Sequence, residues 1–169
     1  PVKNLKKIIS FIFFIKKNII REKKFNNFFV NNFNLTKYYP SEIELKKDFP
    51  KLDFYITGSD QVWNTDIVGD LEDAYTLNFG DDRIKRISYA ASIGNSEIES
   101  KFLDKFKNKL KEIDNISVRE YDAEEQLKKI LLDKNISVVL DPTLLLEKDE
   151  WNSNFPSISK VKEKYILAY

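Results

Sequence analysis

At 169 residues, with 42% hydrophobic and 33% charged side chains, the chain is long enough to bury a core and too apolar to be a disordered segment. It has no Cys and no His, which excludes disulfides, thiolate or imidazole metal sites and a Ser-His-Asp triad, and leaves proton transfer to Asp, Glu, Lys or Tyr. The net charge of +1 is uneven: residues 1–24 hold eight Lys/Arg and one acid, a net of +7, so the remainder carries −6. Basic residues are not spread over a surface as nucleic-acid binding requires, so no nucleic-acid partner is expected.

The first element is a predicted helix over residues 4–24, "NLKKIISFIFFIKKNIIREKK". Leu5, Ile8, Ile9, Ile12 and Ile19 recur at helical spacing, and Lys3, Lys6, Lys7, Lys17 and Arg21 collect on the opposite face. Its uncharged run, Ile8 to Ile15, is shorter than the ~20 residues that span a bilayer. No small-residue cleavage site follows it, so it does not read as a signal peptide. Two uses remain open for this helix: docking on the protein itself, or peripheral contact with a membrane surface. Residues 25–52 read as connecting structure, polar and aromatic, with a short helix capped by Ser41 and Glu44 and closed by Pro50.

From residue 52 strand-like runs alternate with helix-like ones. The strands are "FYIT" (54–57), "RISYA" (86–90), "NISV" (115–118), "ISVVL" (136–140) and "YILAY" (165–169); the helices are 96–113 and 120–133. This rhythm predicts βαβ units, an α/β fold with a Rossmann-like parallel sheet and flanking helices. The run Ile136 to Leu140 is apolar on both faces and predicts a strand covered on both sides. The N-x-S/T matches at Asn34, Asn115 and Asn135 lack a secretory context and are discounted as glycosylation sites. The chain opens on Pro1 and stops within an apparent strand, so both ends are expected to lie inside a longer protein. The expected domains are a basic helix and aromatic connector over 1–40, an incomplete Rossmann-like domain over 41–160, and the first strand of a second domain over 161–169.

Open α/β sheets bind ligands beyond the carboxyl ends of their strands. Four short segments follow the predicted strands: "GSDQVWN", "ASIGN", "REYD" and "DPTLL". They nominate Gly58, Ser59, Asp60, Gln61, Trp63, Asn64, Ser92, Arg119, Glu120 and Thr143 as substrate-binding residues. Each also has a structural reading. Gly58 permits a tight turn, Asp60 can cap a helical turn, and Trp63 can pack or stack. Ser92 and Gly94 can shape a turn with Asn95 or Ser96 as helix cap, and Asp141-Pro142 reads as a cap followed by Pro at the first helical position. Arg119 suits either a salt bridge with Glu120 or a fork for an anionic group. Four Gly in the whole chain supply no Gly-rich phosphate loop, and no carboxylate cluster marks a metal site.

The segments "FYITGSDQVWN", "RISYAASIG", "ISVREYDA" and "VVLDPTLLLEKDEW", in this order, resemble the polysaccharide pyruvyl transferase family, from about Arg21 to Tyr169. The resemblance implies one half of a glycosyltransferase-B-like, two-domain enzyme. Such an enzyme moves the enolpyruvyl group of phosphoenolpyruvate onto a sugar or lipid-linked saccharide in cell-wall and exopolysaccharide synthesis. It implies no cofactor beyond the donor substrate. The absence of Cys fits a cytoplasmic location, with the inner membrane face as one setting, and Asp60 is the candidate for a base within this chain. The chain departs from the family in lacking His, the first strand-loop of the amino-terminal domain and the second domain, so these residues alone are expected to be inactive. Two other readings remain: a nucleotide-sugar glycosyltransferase of similar architecture, and a non-catalytic sugar-binding or scaffold module.

Overall fold

The computed structural model describes residues 2–155, with side chains from Phe14 onward. The chain divides into two compact units, Pro1–Tyr39 and Pro40–Tyr169. The expected strand at 165–169 lies outside the described residues.

The first unit is one helix, α1 (Val2–Asn32). It runs past residue 24, through a stretch expected to be connecting structure. Once nucleated, a helix extends at little cost per residue, and the Asn-rich "NNFFVNN" contains no Pro or Gly to stop it. Phe28, Phe29 and Phe33 meet at its end with ring centroids 5.4–6.2 Å apart.

The second unit starts with α2 (Glu42–Lys47), whose cap is Ser41: its hydroxyl accepts from Glu44 N at 3.3 Å. There follow β1 (Phe54–Thr57), a single turn α3 (Thr65–Val68), β2 (Lys85–Ala91), α4 (Leu103–Leu110), β3 (Asn115–Val118), α5 (Tyr121–Ile130), β4 (Ile136–Val138) and α6 (Lys148–Asn154). The four strands form one sheet in the order β1-β2-β3-β4, every pair parallel. The α/β, Rossmann-like expectation is therefore correct. Strands that follow one another in sequence across the sheet, each joined by a right-handed crossover, place their connections on the same face.

That face holds the main core. Phe106 and Leu110 of α4, and Ala123 and Leu127 of α5, each at i, i+4 spacing, close on Ile116 and Val118 of β3 and Ile136 of β4. Burying each large apolar side chain contributes about 1.5–3 kcal/mol. The other face is less covered at the edge: Phe54 and Ile56 of β1 are 55% and 59% exposed. Among the described residues β4 is also at an edge of the sheet, with Ser137 and Leu140 exposed, so the expectation of cover on both faces is not met there. A smaller cluster of Tyr55, Leu77 and Ile84 sits beside buried Arg86. The Arg86 guanidinium donates to the carbonyls of Leu77, Phe79, Asp81 and Ile84 at 2.8–3.3 Å and so ties down the loop before β2.

The helix expected over 96–113 is shorter. A 3-10 turn covers Ser100–Phe102 and α4 follows directly. Residues 96–98 are held out of helical form by Gln126 of α5, whose side-chain amide bonds both Ser96 O and Ile98 N.

Phe106 is fully buried at the centre of the core. Phe106→Ala is expected to lower unfolding free energy by about 3–5 kcal/mol, read as a reduced midpoint in urea at unchanged m-value.

Candidate functional site

One extra residue in β2 shapes the carboxyl edge of the sheet. Ser88 pairs with Ile116 and Ala91 with Val118, so three steps on β2 oppose two on β3. The bulge places Ala90 at φ +50° with its side chain fully buried. Its amide would lose a ladder partner, and Ser117 Oγ supplies one at 3.2 Å while donating to Ser88 O at 2.8 Å. Ser88 Oγ completes the set by accepting from Ser117 N and donating to Ser117 O, both at 3.1 Å. Two serines thus hold the irregularity in a fixed form.

The bulge dictates the residue beside it. A Cβ on Gly58 would lie 2.0 Å from Tyr89 O, and Gly58 has φ +120°. Only glycine lets the chain leave β1 so close to β2. From there the segment runs along the end of β2: Ser92 N donates to Asp60 O at 3.2 Å, and Trp63 N to Ser92 O at 3.1 Å. Backbone bonds from Arg119 N to Ala91 O and from Val139 N to Val118 O continue the tie across the sheet.

Along this edge the nominated residues separate into two groups. Trp63, Asn64 and Ser92 are buried supports. Trp63 is 1% exposed and its indole donates to Tyr75 O at 3.1 Å, so it packs in the core and presents no face for stacking. Asn64 caps α3, accepting from Asp66 N at 2.9 Å and donating to Gln61 Oε1 at 2.6 Å. Asn64 therefore takes the capping role expected of Asp60. Ser92 Oγ accepts from Gly94 N at 3.0 Å. Gly94, at φ +71°, is required because a Cβ would come within 2.4 Å of the side chains of Gln61 and Asn64. Neither Asn95 nor Ser96 caps a helix; Asn95 instead donates to Asp66 Oδ2 at 2.9 Å.

Gly58, Ser59, Asp60, Gln61, Arg119, Glu120 and Thr143 reach the accessible side of the edge. Asp60 Oδ1 accepts from Gln61 N at 2.7 Å, and Oδ2 has no partner among the described residues. Arg119 joins three strand ends: Nε donates to Glu120 Oε1 at 3.0 Å, and Nη1 to Ser59 O at 3.0 Å and Asp141 Oδ2 at 3.3 Å. Its Nη2 is left without a partner among the described residues. Burial works against the Arg119 charge, but Glu120 and Asp141 outweigh it and raise its pKa. Glu120 Oε2 is buried and unpaired. Asp141 caps the 3-10 turn Pro142–Leu144 as the Asp-Pro pair predicts, accepting from Thr143 N at 3.0 Å and Thr143 Oγ1 at 2.7 Å. Thr143 first, and then Arg119 and Ser59, lower the Asp141 pKa from 3.8 to about 2.

The edge therefore carries three carboxylates, Asp60, Glu120 and Asp141, against one guanidinium already engaged by two of them. Carboxylates and a side-chain amide accept hydrogen bonds from hydroxyls and repel anions, a balance that fits a polyol better than a phosphate.

Two tests follow from this geometry. Gly58→Ala puts a methyl group against a backbone carbonyl and is expected to cost on the order of 3 kcal/mol, seen as a lowered thermal midpoint. Because the Asp141 pKa is depressed on folding, its contribution is present above 3.8 and is lost as pH falls toward about 2. Asp141→Asn should therefore flatten this part of the acid-unfolding curve; a variant curve parallel to wild type over that window would contradict the assignment.

Neither the curated proteins nor the solved structures contain a significant match to this chain. The sequence pattern of the polysaccharide pyruvyl transferase family does match it, over residues 2–169, and the chain belongs to that family.

Proposed function

We propose that this chain forms the acceptor-facing half of a pyruvyl transferase that makes a pyruvate ketal on a saccharide, with phosphoenolpyruvate as donor. In this reaction the enol methylene takes a proton, which creates an oxocarbenium centre at the adjacent carbon. One sugar hydroxyl attacks that carbon, phosphate departs, and a second hydroxyl closes the ketal. The steps need an acid for the methylene, a base for each hydroxyl and cationic groups for the donor's charges.

The observation that carries this reading is the exposed Asp60 carboxylate beside Gln61, at the carboxyl end of β1 in a chain of this family. Asp60 Oδ2 takes the proton of the attacking hydroxyl, while the Gln61 amide, already oriented by Asn64, holds a neighbouring hydroxyl. Arg119 Nη2 and Thr143 border the same site. The acid and the cations that bind the donor come from elsewhere in the enzyme, in a second domain facing this edge across a cleft. Lack of Cys suits a reducing cytoplasmic setting.

The test uses the complete enzyme with phosphoenolpyruvate and candidate saccharides, following phosphate release and the mass of the product. Asp60→Asn is expected to lower kcat by about 10²–10⁴-fold with an unchanged melting curve. Full activity in Asp60→Asn, or turnover of nucleotide sugars in place of phosphoenolpyruvate, would overturn the assignment.

A further inference from the structure

The turn after β1 sets one side-chain amide against another. Asn64 N donates to Gln61 O at 3.1 Å, and this i, i+3 closure brings the two side chains together. Asn64 is 5% exposed, and the two ends of its carboxamide are not interchangeable. Asp66 N, which can only donate, meets Oδ1 at 2.9 Å. Nδ2 therefore points the other way and needs an acceptor, which Gln61 Oε1 supplies at 2.6 Å. Turning the Asn64 amide over would set donor against donor at Asp66 and acceptor against acceptor at Gln61. Gly94 backs the pair, since Asn64 Nδ2 and Gln61 Oε1 fill the space a side chain there would take. The other end of Gln61, Nε2, has no partner among the described residues. The one buried side-chain atom left unpaired among them is Glu120 Oε2, so Gln61 Nε2 reaches solvent.

We infer that Asn64 is a positioning residue that locks the Gln61 amide with Nε2 outward, so that the site selects saccharides with a hydrogen-bond-accepting oxygen beside the hydroxyl facing Asp60. The identity of the ligand rests on the transfer reading; the direction of the amide rests on the bonds above. Asp60 and Gln61 then present opposite chemistry to a saccharide: a carboxylate that accepts, and an amide nitrogen that only donates. A hydroxyl, an ether oxygen or an acetamido carbonyl satisfies Nε2, whereas an ammonium group meets it donor to donor. Of two neighbouring sugar positions, the one at Asp60 must carry a proton and the one at Gln61 must offer a lone pair. Discrimination of this kind is strong when the group that reads it is held in one orientation, and the cap of α3 holds this one.

Side-chain amide NMR on the isotope-labelled complete protein reads the orientation directly. In the wild type one Asn64 Nδ2 proton should exchange slowly with water, while both Gln61 Nε2 protons exchange freely. Asn64→Asp keeps an acceptor for Asp66 N but removes the donor to Gln61, so the Gln61 amide should turn over and its Nε2 become protected. Should the buried charge lower the melting temperature, Gln61→Glu removes the outward donor at a partly buried position and leaves the cap intact. Kinetics use phosphoenolpyruvate with methyl hexopyranosides of the gluco, galacto and manno series. Both variants should raise the saccharide KM roughly tenfold and leave the KM for phosphoenolpyruvate unchanged. Protected Gln61 Nε2 protons in the wild type, an exchange pattern unmoved by Asn64→Asp, or an unchanged saccharide KM in both variants would overturn the inference. Absence of phosphate release by the wild type would instead sink the transfer reading and the saccharide half of the inference, with the direction of the amide still decided by the exchange pattern.

Discussion

The carboxyl edge of the sheet depends on the contact between Gly58 and the bulge in β2. The extra residue between Ser88 and Ala91 turns the Tyr89 carbonyl toward β1, and only a residue without a side chain passes it. Ser117 supplies the amide of Ala90 with the acceptor that the ladder no longer gives, so the distortion carries no orphaned donor. The path of residues 58–64 follows: they lie on the end of β2 and not over it, which leaves Asp60 and Gln61 outward and Trp63 inward. A regular β2 would have placed a different set of atoms at the edge.

Electrostatics then determines what this edge is suited to hold. A free guanidinium at a strand end is a good partner for phosphate, but Arg119 is engaged by Glu120, Asp141 and the Ser59 carbonyl. Its first effect is to fix the relative positions of β1, β3 and β4. The charge balance it leaves is negative, and hydroxyl-rich ligands are the class such a surface accommodates with least desolvation penalty. The donor's phosphate would need cations that this edge has already spent on its own carboxylates.

Most of the sheet was legible in the sequence because its signals are local. "FYIT", "RISYA" and "NISV" are short β-branched or aromatic runs between polar segments, and each forms a strand within one or two residues of its expected limits. Ser41 and Asp141 also signal their turns through chemistry contained within three residues. The differences arise where a distant group decides. Ser96 to Ile98 read in the sequence as the start of a helix, yet Gln126, about 30 residues on, captures their polar groups first. The bulge is a property of the pairing between β2 and β3, and neither strand alone contains it. Trp63 follows a strand end just as a stacking residue would, and its inward direction is set by Ser92 and Tyr75. The alternation of strands and helices made the four strand ends legible as one edge, while the division between exposed and supporting residues required the fold.

Strand β1 has a consequence for handling as well as for binding. Among the described residues it pairs only with β2, and its outer edge sits next to the exposed side chains of Phe54 and Ile56. An unpaired backbone edge beside apolar groups is a template for further strands, from this molecule or from others. That edge therefore bears on the colloidal behaviour of the protein, and strand addition there would show as precipitation before it showed as lost secondary structure.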